Sequence, residues 1–228
     1  MTTQASQPVD IVFPVFPNVT QLDFTGPVQF LSRLPGARVH VAAASLDPVP
    51  TDCGFGIMPT TSFADCPQGA ILCVPGGHGV RTALTDGATA PFIAAQAASA
   101  RWITSVCTGA FLLGAAGLLK GRRATCHWGY THLLPLVGAS YEDARVVEDG
   151  HVITAGGVTS GIDFALTLIA REAGEDTARA IQLALEYDPA PPFPGGTPAS
   201  SGAAVTEGLK ARVYDEAAEA LRMALESR

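Results

Sequence analysis

Two textures of apolar residues alternate along this chain. One is the short uninterrupted run bounded by Gly, Pro or charge, which predicts a buried strand; the other is the three-to-four-residue recurrence of a helix face. Residues 10–16 (DIVFPVF), 38–44 (RVHVAAA), 70–74 (AILCV) and 102–106 (WITSV) are of the first kind. Residues 123–127 predict a further short strand, and residues 50–61, with two glycines, a small hairpin or irregular edge. In RVVEDGHVIT, residues 145–154, two alternating runs flank Asp149-Gly150, a strong hairpin signal.

Helical spacing is predicted over residues 26–34, with Pro27 at the helix start, where its missing N–H is harmless. It recurs over 88–100, after Cys107 as far as a closing Gly121, around 130–137, over 159–173 and over 175–187. Residues 188–201 are rich in Pro, Gly and Ser and read as a linker, and 207–226 as a final amphipathic helix. Strands alternating with helices predict an α/β fold, a mostly parallel sheet with helices on both faces. The expected organisation is one catalytic domain over residues 1–190. Residues 191–228 are then a linker and a helix that packs on that domain or on a dimer partner.

Composition narrows the function. With 47% hydrophobic and 15% charged residues the chain is globular rather than disordered. A net charge of −7, with no basic cluster beyond Arg122-Arg123, argues against a nucleic-acid partner. The apolar runs are too short to span a membrane. The first residues, MTTQASQPVD, show no leader pattern. The five cysteines, 53, 66, 73, 107 and 126, include no CxxC pair, so reduced thiols in a cytoplasm are expected rather than a disulfide framework.

In such sheets ligands bind beyond the carboxyl ends of the strands. Asp23, Gly76-Gly77 and Cys107 all fall there, and are expected to share one pocket. Cys107 stands between a strand and a small-residue helix, whose free N–H groups and dipole favour a thiolate. Asp23, in QLDFTGP, reads either as a helix cap or as a half-buried acid able to exchange a proton with the sulfur. Gly76 and Gly77 allow backbone N–H groups close approach to developing negative charge. Thr108 follows the nucleophile and reads as a helix-start residue or as a hydroxyl reaching substrate. His78 reads as a loop residue at the pocket rather than a base, and Val158, after Gly157, as apolar lining. Cys73 reads as core. Cys126, His127 and His132 lack metal-ligand spacing, so no metal is expected. GGHG, residues 76–79, lacks the ending of a phosphate loop, and no G-x-S-x-G motif is present.

QLDFTGP, TTSFADCP, PGGHGV, SVCTGAFLLGAAGLLKGRRATCHW, GGVTSGIDFALTL and LEYDPAPPF together resemble the ThiJ/PfpI superfamily, and within it the isonitrile hydratase branch. The resemblance implies a flavodoxin-like fold with a cysteine nucleophile elbow. It places the nucleophile at Cys107, its acidic partner at Asp23 and the branch's threonine at Thr108. It implies hydration of isonitriles to N-substituted formamides through a covalent thioimidate, with no cofactor, by a homodimer. PfpI-type peptidases carry a histidine directly after the cysteine; Thr108 stands there instead. AraC-type regulators have a similar sensing domain followed by a helix-turn-helix region, for which the residues after Tyr187 offer too little. A thiol redox or electrophile sensor and an orphaned ligand-binding module remain as alternatives. They separate from the enzyme by whether turnover exists and disappears with Cys107.

Overall fold

A computed structural model of the chain describes residues 8–227; the reading of the opening residues MTTQASQ lies outside them. The elements follow in chain order. Strand β1 (Val9–Pro14) and helix α1 (Gln21–Leu31) lead to β2 (Ala37–Ala43), β3 (Val49–Pro50), β4 (Gly56–Ile57) and β5 (Thr61–Ser62). Next come β6 (Ile71–Val74), α2 (Val80–Ala83), α3 (Thr89–Ala97), β7 (Trp102–Val106) and α4 (Gly109–Ala115). Strand β8 (Arg123–Ala124), a 3-10 segment (Trp128–Val137) and β9 (Ser140–Tyr141) precede the hairpin β10 (Val146–Asp149) and β11 (Val152–Ala155). Then α5 (Ser160–Ala173), α6 (Glu175–Ala184), α7 (Pro198–Ser201), α8 (Ala203–Leu209), a π turn (Lys210–Tyr214) and α9 (Asp215–Glu226) complete the described chain.

The main sheet runs β10-β11-β7-β6-β1-β2-β5, and every pairing is parallel except the β10–β11 hairpin. Its central strands β1, β6 and β7 are covered on both faces, as a parallel sheet flanked by helices requires, with Thr104 and Ser105 of β7 the buried polar exceptions. Ile11, Phe13, Ile71, Leu72, Phe111 and Phe164 lie at the centre of the core. The expected hairpin at 50–61 is β3–β4, and the turn at Gly150 takes φ 65°. Among the described residues, no helix is long and apolar enough to cross a membrane.

Four expectations need correction. Helix α1 begins at Gln21, not near Gly26, so Pro27 lies in its interior and removes the bond to the Asp23 carbonyl. The ring is accommodated by Gly161 of α5, where a Cβ would come within 2.9 Å of Pro27 Cγ. Helix α4 ends at Ala115, because Gly117 already turns left-handed (φ 77°); Gly121 instead turns the chain toward β8. Strand β8 leaves the main sheet and pairs with β9, so the predicted strand at 123–127 is only two residues long. The single C-terminal helix is divided by the π turn, and α9 packs back on the 3-10 segment and α2.

Candidate active site

The carboxyl ends of β1, β6 and β7 converge, and the three loops that leave them interlock. Asp23, in the first turn of α1, is 1% exposed and accepts a hydrogen bond from Gly76 N–H through Oδ2 at 3.0 Å. A Cβ on Gly76 would lie 2.5 Å from Thr108 N and 2.9 Å from Asp23 Oδ2, so glycine is the only residue that lets these loops meet. Gly77 (φ 127°) donates its N–H to Thr108 Oγ1 at 2.9 Å, and the Thr108 hydroxyl donates back to Gly77 O at 3.2 Å. Asp23 is therefore no helix cap: its carboxyl reaches inward, to the loop after β6.

Cys107 occupies the left-handed region at φ 59°, a conformation unfavourable to a side-chain-bearing residue by roughly 1–3 kcal/mol. The neighbouring strand end holds it there, because Cys107 N–H bonds Ala155 O at 3.1 Å and Gly156 O at 3.0 Å. Gly109 makes the close descent into α4 possible, since a Cβ there would approach Val74 O to 2.3 Å and Pro75 O to 2.7 Å. Gly109→Ala is expected to push α4 off β6 and to destabilise the fold by about 3 kcal/mol, an overpacking penalty visible as a lowered Tm.

The electrostatics differ from the simple lowered thiol that the sequence suggested. Burial pushes the Cys107 thiol up, the Asp23 carboxylate pushes it further, and only the Thr108 N–H draws it down. Helix α4 is seven residues long and Cys107 is buried at its foot, so desolvation outweighs the helix terminus. Burial likewise raises Asp23 from 3.8 to about 7, opposed by the Gly76 N–H and the Cys107 thiol and assisted by the charge of Asp52. The thiol is near enough to influence the carboxyl, yet no well-formed bond joins them. Asp23 Oδ1 has no hydrogen-bond partner among the described residues. The two groups titrate as a coupled pair that keeps at least one proton at neutral pH.

A stability effect follows with a definite sign. Between pH 3.8 and about 7 the folded protein binds more protons at Asp23 than the unfolded chain does, so stability falls as pH rises through that window. Asp23→Asn is expected to be more stable than the wild type above the window, by up to about 4 kcal/mol, with the gap closing toward low pH. Thermal melts of both proteins at about pH 5 and about pH 8 measure it.

Of the pocket residues expected from sequence, Gly77, His78 and Thr108, though not Cys107, Asp23 or Gly76, line a cavity of about 110 Å³ with Val80 and Arg81. Gly157 and Val158 do not: they line a separate cavity of about 650 Å³ with Arg145, Trp128 and Thr197. A Cβ on Gly157 would strike His127 Cδ2 at 2.4 Å, and Val158 takes φ 35°. Gly76 and Gly77 were expected to offer N–H groups to a reacting atom, but both are already bonded inside the protein. The N–H of His78 has no acceptor among the described residues.

Sequence reasoning missed the opposite wall, formed by Tyr130, Ala217 and Leu221. Above it His127, Trp128 and Tyr130 surround Tyr214, at ring separations of 4.9, 4.9 and 5.8 Å. Burial lowers His127 to about 4, so its imidazole is neutral; Nδ1 accepts from Gly129 N–H and Nε2 carries the proton. The available signal was the apolar stripe at 214, 217, 218, 221 and 225, which marks a packed face without naming what it packs on.

Residues 9–171 match the model of the DJ-1/PfpI family. This chain belongs to the DJ-1/PfpI family. Within it, the chain is 51% identical over 204 residues to the isonitrile hydratase of Pseudomonas putida, covering 90% of each. It superposes on the crystal structure of a ThiJ/PfpI family protein from Pseudomonas syringae with a TM-score of 0.92, at 40% identity, covering 97% of this chain and 93% of that one. The HTH-type transcriptional regulator GbdR of Pseudomonas aeruginosa is 28% identical over 195 residues, 81% of this chain and 52% of the regulator. The DJ-1/PfpI fold thus accounts for the parallel sheet and the helices around it.

Proposed function

We propose that this chain hydrates isonitriles to N-substituted formamides, with Cys107 as nucleophile and Asp23 as proton carrier. The observation that carries the reading is the likeness, along nine-tenths of both chains, to an isonitrile hydratase. The geometry supports a chemistry. The Asp23 carboxylate takes the proton of the Cys107 thiol, and the sulfur forms a bond to the terminal isonitrile carbon. Asp23 returns the proton to that carbon, giving a thioimidate, R–N=CH–S. Water then adds to the same carbon, its hydroxyl bonding there and its proton reaching the nitrogen, with Asp23 as the relay. The carbon–sulfur bond breaks, and the hydroxyl proton passes through Asp23 back to sulfur, leaving R–NH–CHO and the free thiol. The N–H groups of His78 and Thr108 are the donors that face the charge developing in these steps.

The buried, upward-shifted thiol suits this assisted attack better than a redox sensor, which relies on an accessible low-pKa sulfur. Incubating the protein with an alkyl isonitrile and following the formamide proton by NMR tests the reading. A folded protein with an alkylatable Cys107 that yields no formamide defeats it. We further infer a cytoplasmic homodimer. The five free thiols suit a reducing compartment, and exposed Leu183, Phe193 and Val205 suit a subunit contact. A monomeric mass by sedimentation excludes the dimer, and recovery of the protein outside the cytoplasmic fraction excludes the compartment.

A further inference from the structure

The cavity of about 650 Å³ at the start of α5 takes no part in the steps above, since neither Cys107 nor Asp23 lines it. Its volume falls within the roughly 300–1,000 Å³ of small-molecule sites. Its lining is rich in donors that lack acceptors. The N–H groups of Gly157, Val158 and Thr159 have none among the described residues, and no side chain caps α5, a helix of 14 residues. The positive end of that helix therefore opens on this space. His127 is only 9% exposed and lines the cavity. Its imidazole is neutral, with Nδ1 accepting from Gly129 N–H. The protonated Nε2 has no acceptor among the described residues and lies 3.2 Å from where a Cβ on Gly157 would stand. Ser160, sealed from solvent, also lines the cavity, and its Oγ has no partner among the described residues. Arg145 is the cation there. Its Nε pairs with Asp163 and its Nη2 donates to Thr159 Oγ1 at 3.1 Å, which sets the guanidinium beside the helix start and leaves Nη1 without a partner among the described residues. Asp143 is the carboxylate of the lining, and the Tyr141 hydroxyl donates to its Oδ1 at 2.9 Å. Trp128 and Tyr141 give the cavity an aromatic wall.

We propose that this cavity is a binding site for a small aromatic carboxylate. The carboxylate takes its place at the start of α5, where the N–H groups of residues 157–159, His127 Nε2 and Arg145 Nη1 are the donors to its oxygens. The ring lies against Trp128 and Tyr141. A neutral or cationic head group would leave these donors unpaired, whereas a carboxylate accepts from several at once. One guanidinium, already shared with Asp163, and the nearby charge of Asp143 suit a single negative charge rather than the roughly two of a phosphate. Residues 196–199 of the linker close the outer side of the cavity. Because neither reacting group lines it, the site stands whether or not Cys107 turns over isonitriles.

Isothermal titration calorimetry with phenylacetate, and with its neutral counterpart phenylacetamide, tests the site. Phenylacetate is expected to bind with a Kd below about 1 mM and at least about tenfold more tightly than phenylacetamide. Arg145→Gln is expected to weaken phenylacetate at least about tenfold and to change phenylacetamide by less than about twofold. Ala199→Trp, at an exposed position of the lining, fills the space and is expected to weaken phenylacetate at least about tenfold as well. Arg81→Gln, which alters the arginine of the smaller cavity, is expected to bind phenylacetate as the wild type does. Should Arg145→Gln fail to fold, the contrast between Ala199→Trp and Arg81→Gln decides the place, and the acid-to-amide ratio of the wild type decides the charge. Absence of phenylacetate binding, or equal affinity for acid and amide, overturns the proposal. So does wild-type affinity in Ala199→Trp or in a folded Arg145→Gln. A loss confined to Arg81→Gln assigns the carboxylate to the smaller cavity and overturns it too.

Discussion

Cys107→Ala is expected to lower kcat for formamide formation by at least about a thousandfold, the scale on which removal of a covalent nucleophile acts. The five cysteines are chemically alike in sequence but not in place. Cys73 is sealed in β6, and its thiol is pushed up to about 12 by burial. Cys126 is also driven upward by burial, while Cys53 is exposed and Cys66 partly so, and neither has a carboxyl or helix start that would activate it. Cys107 alone combines the end of β7, the left-handed backbone and an acid partner. The expected pattern is therefore loss in Cys107→Ala and near-wild-type rates in Cys53→Ala and Cys66→Ala, measured in one assay. A Cys107→Ala protein that keeps more than about a tenth of the rate removes covalent catalysis from the mechanism.

Asp23→Asn is expected to reduce kcat by about a hundredfold to ten-thousandfold, the usual contribution of a positioned acid–base group. The amide oxygen can still accept from Gly76 N–H, so the loop contact survives and the loss reports proton transfer. The pH profile separates the two roles. Asp23 must start as a carboxylate to take the thiol proton, and it titrates at about 7. Wild-type kcat/KM should thus rise with pH through about 7, since the base form of the free enzyme is what accumulates there. In Asp23→Asn that limb should vanish. A variant that keeps the same rising limb assigns it to another group, and a variant with wild-type kcat removes Asp23 from the chemistry.

The main strands and the convergence of Asp23, Gly76 and Cys107 were legible because each rests on short-range pattern. Runs such as AILCV and WITSV are short, rich in β-branched residues and without charge, and loops at the carboxyl ends of adjacent parallel strands lie side by side. Errors arose where tertiary contacts override local preference. Pro27 looked like a helix opener, but Gly161 leaves room for its ring in the interior of α1. Gly76 and Gly77 looked like donors to substrate, but their N–H groups are spent on Asp23 and Thr108. The far wall was illegible for a different reason: Leu221 is 114 positions beyond Cys107, and an apolar stripe carries no address.

Residues 210–214 close their hydrogen-bond rings one residue wider than an α-helix does. Helix α9 therefore leaves them rotated by roughly 100° from where an unbroken continuation of α8 would point it. Which α9 side chains line the cavity of about 110 Å³ is set by the phase of a helix, a count of residues rather than their chemistry. Loss or gain of one residue between α8 and α9 would swing Ala217 and Leu221 around the helix axis while leaving every reacting group in register. The wall of that cavity is thus open to change by insertion and deletion, at positions where Cys107, Asp23 and Thr108 are untouched.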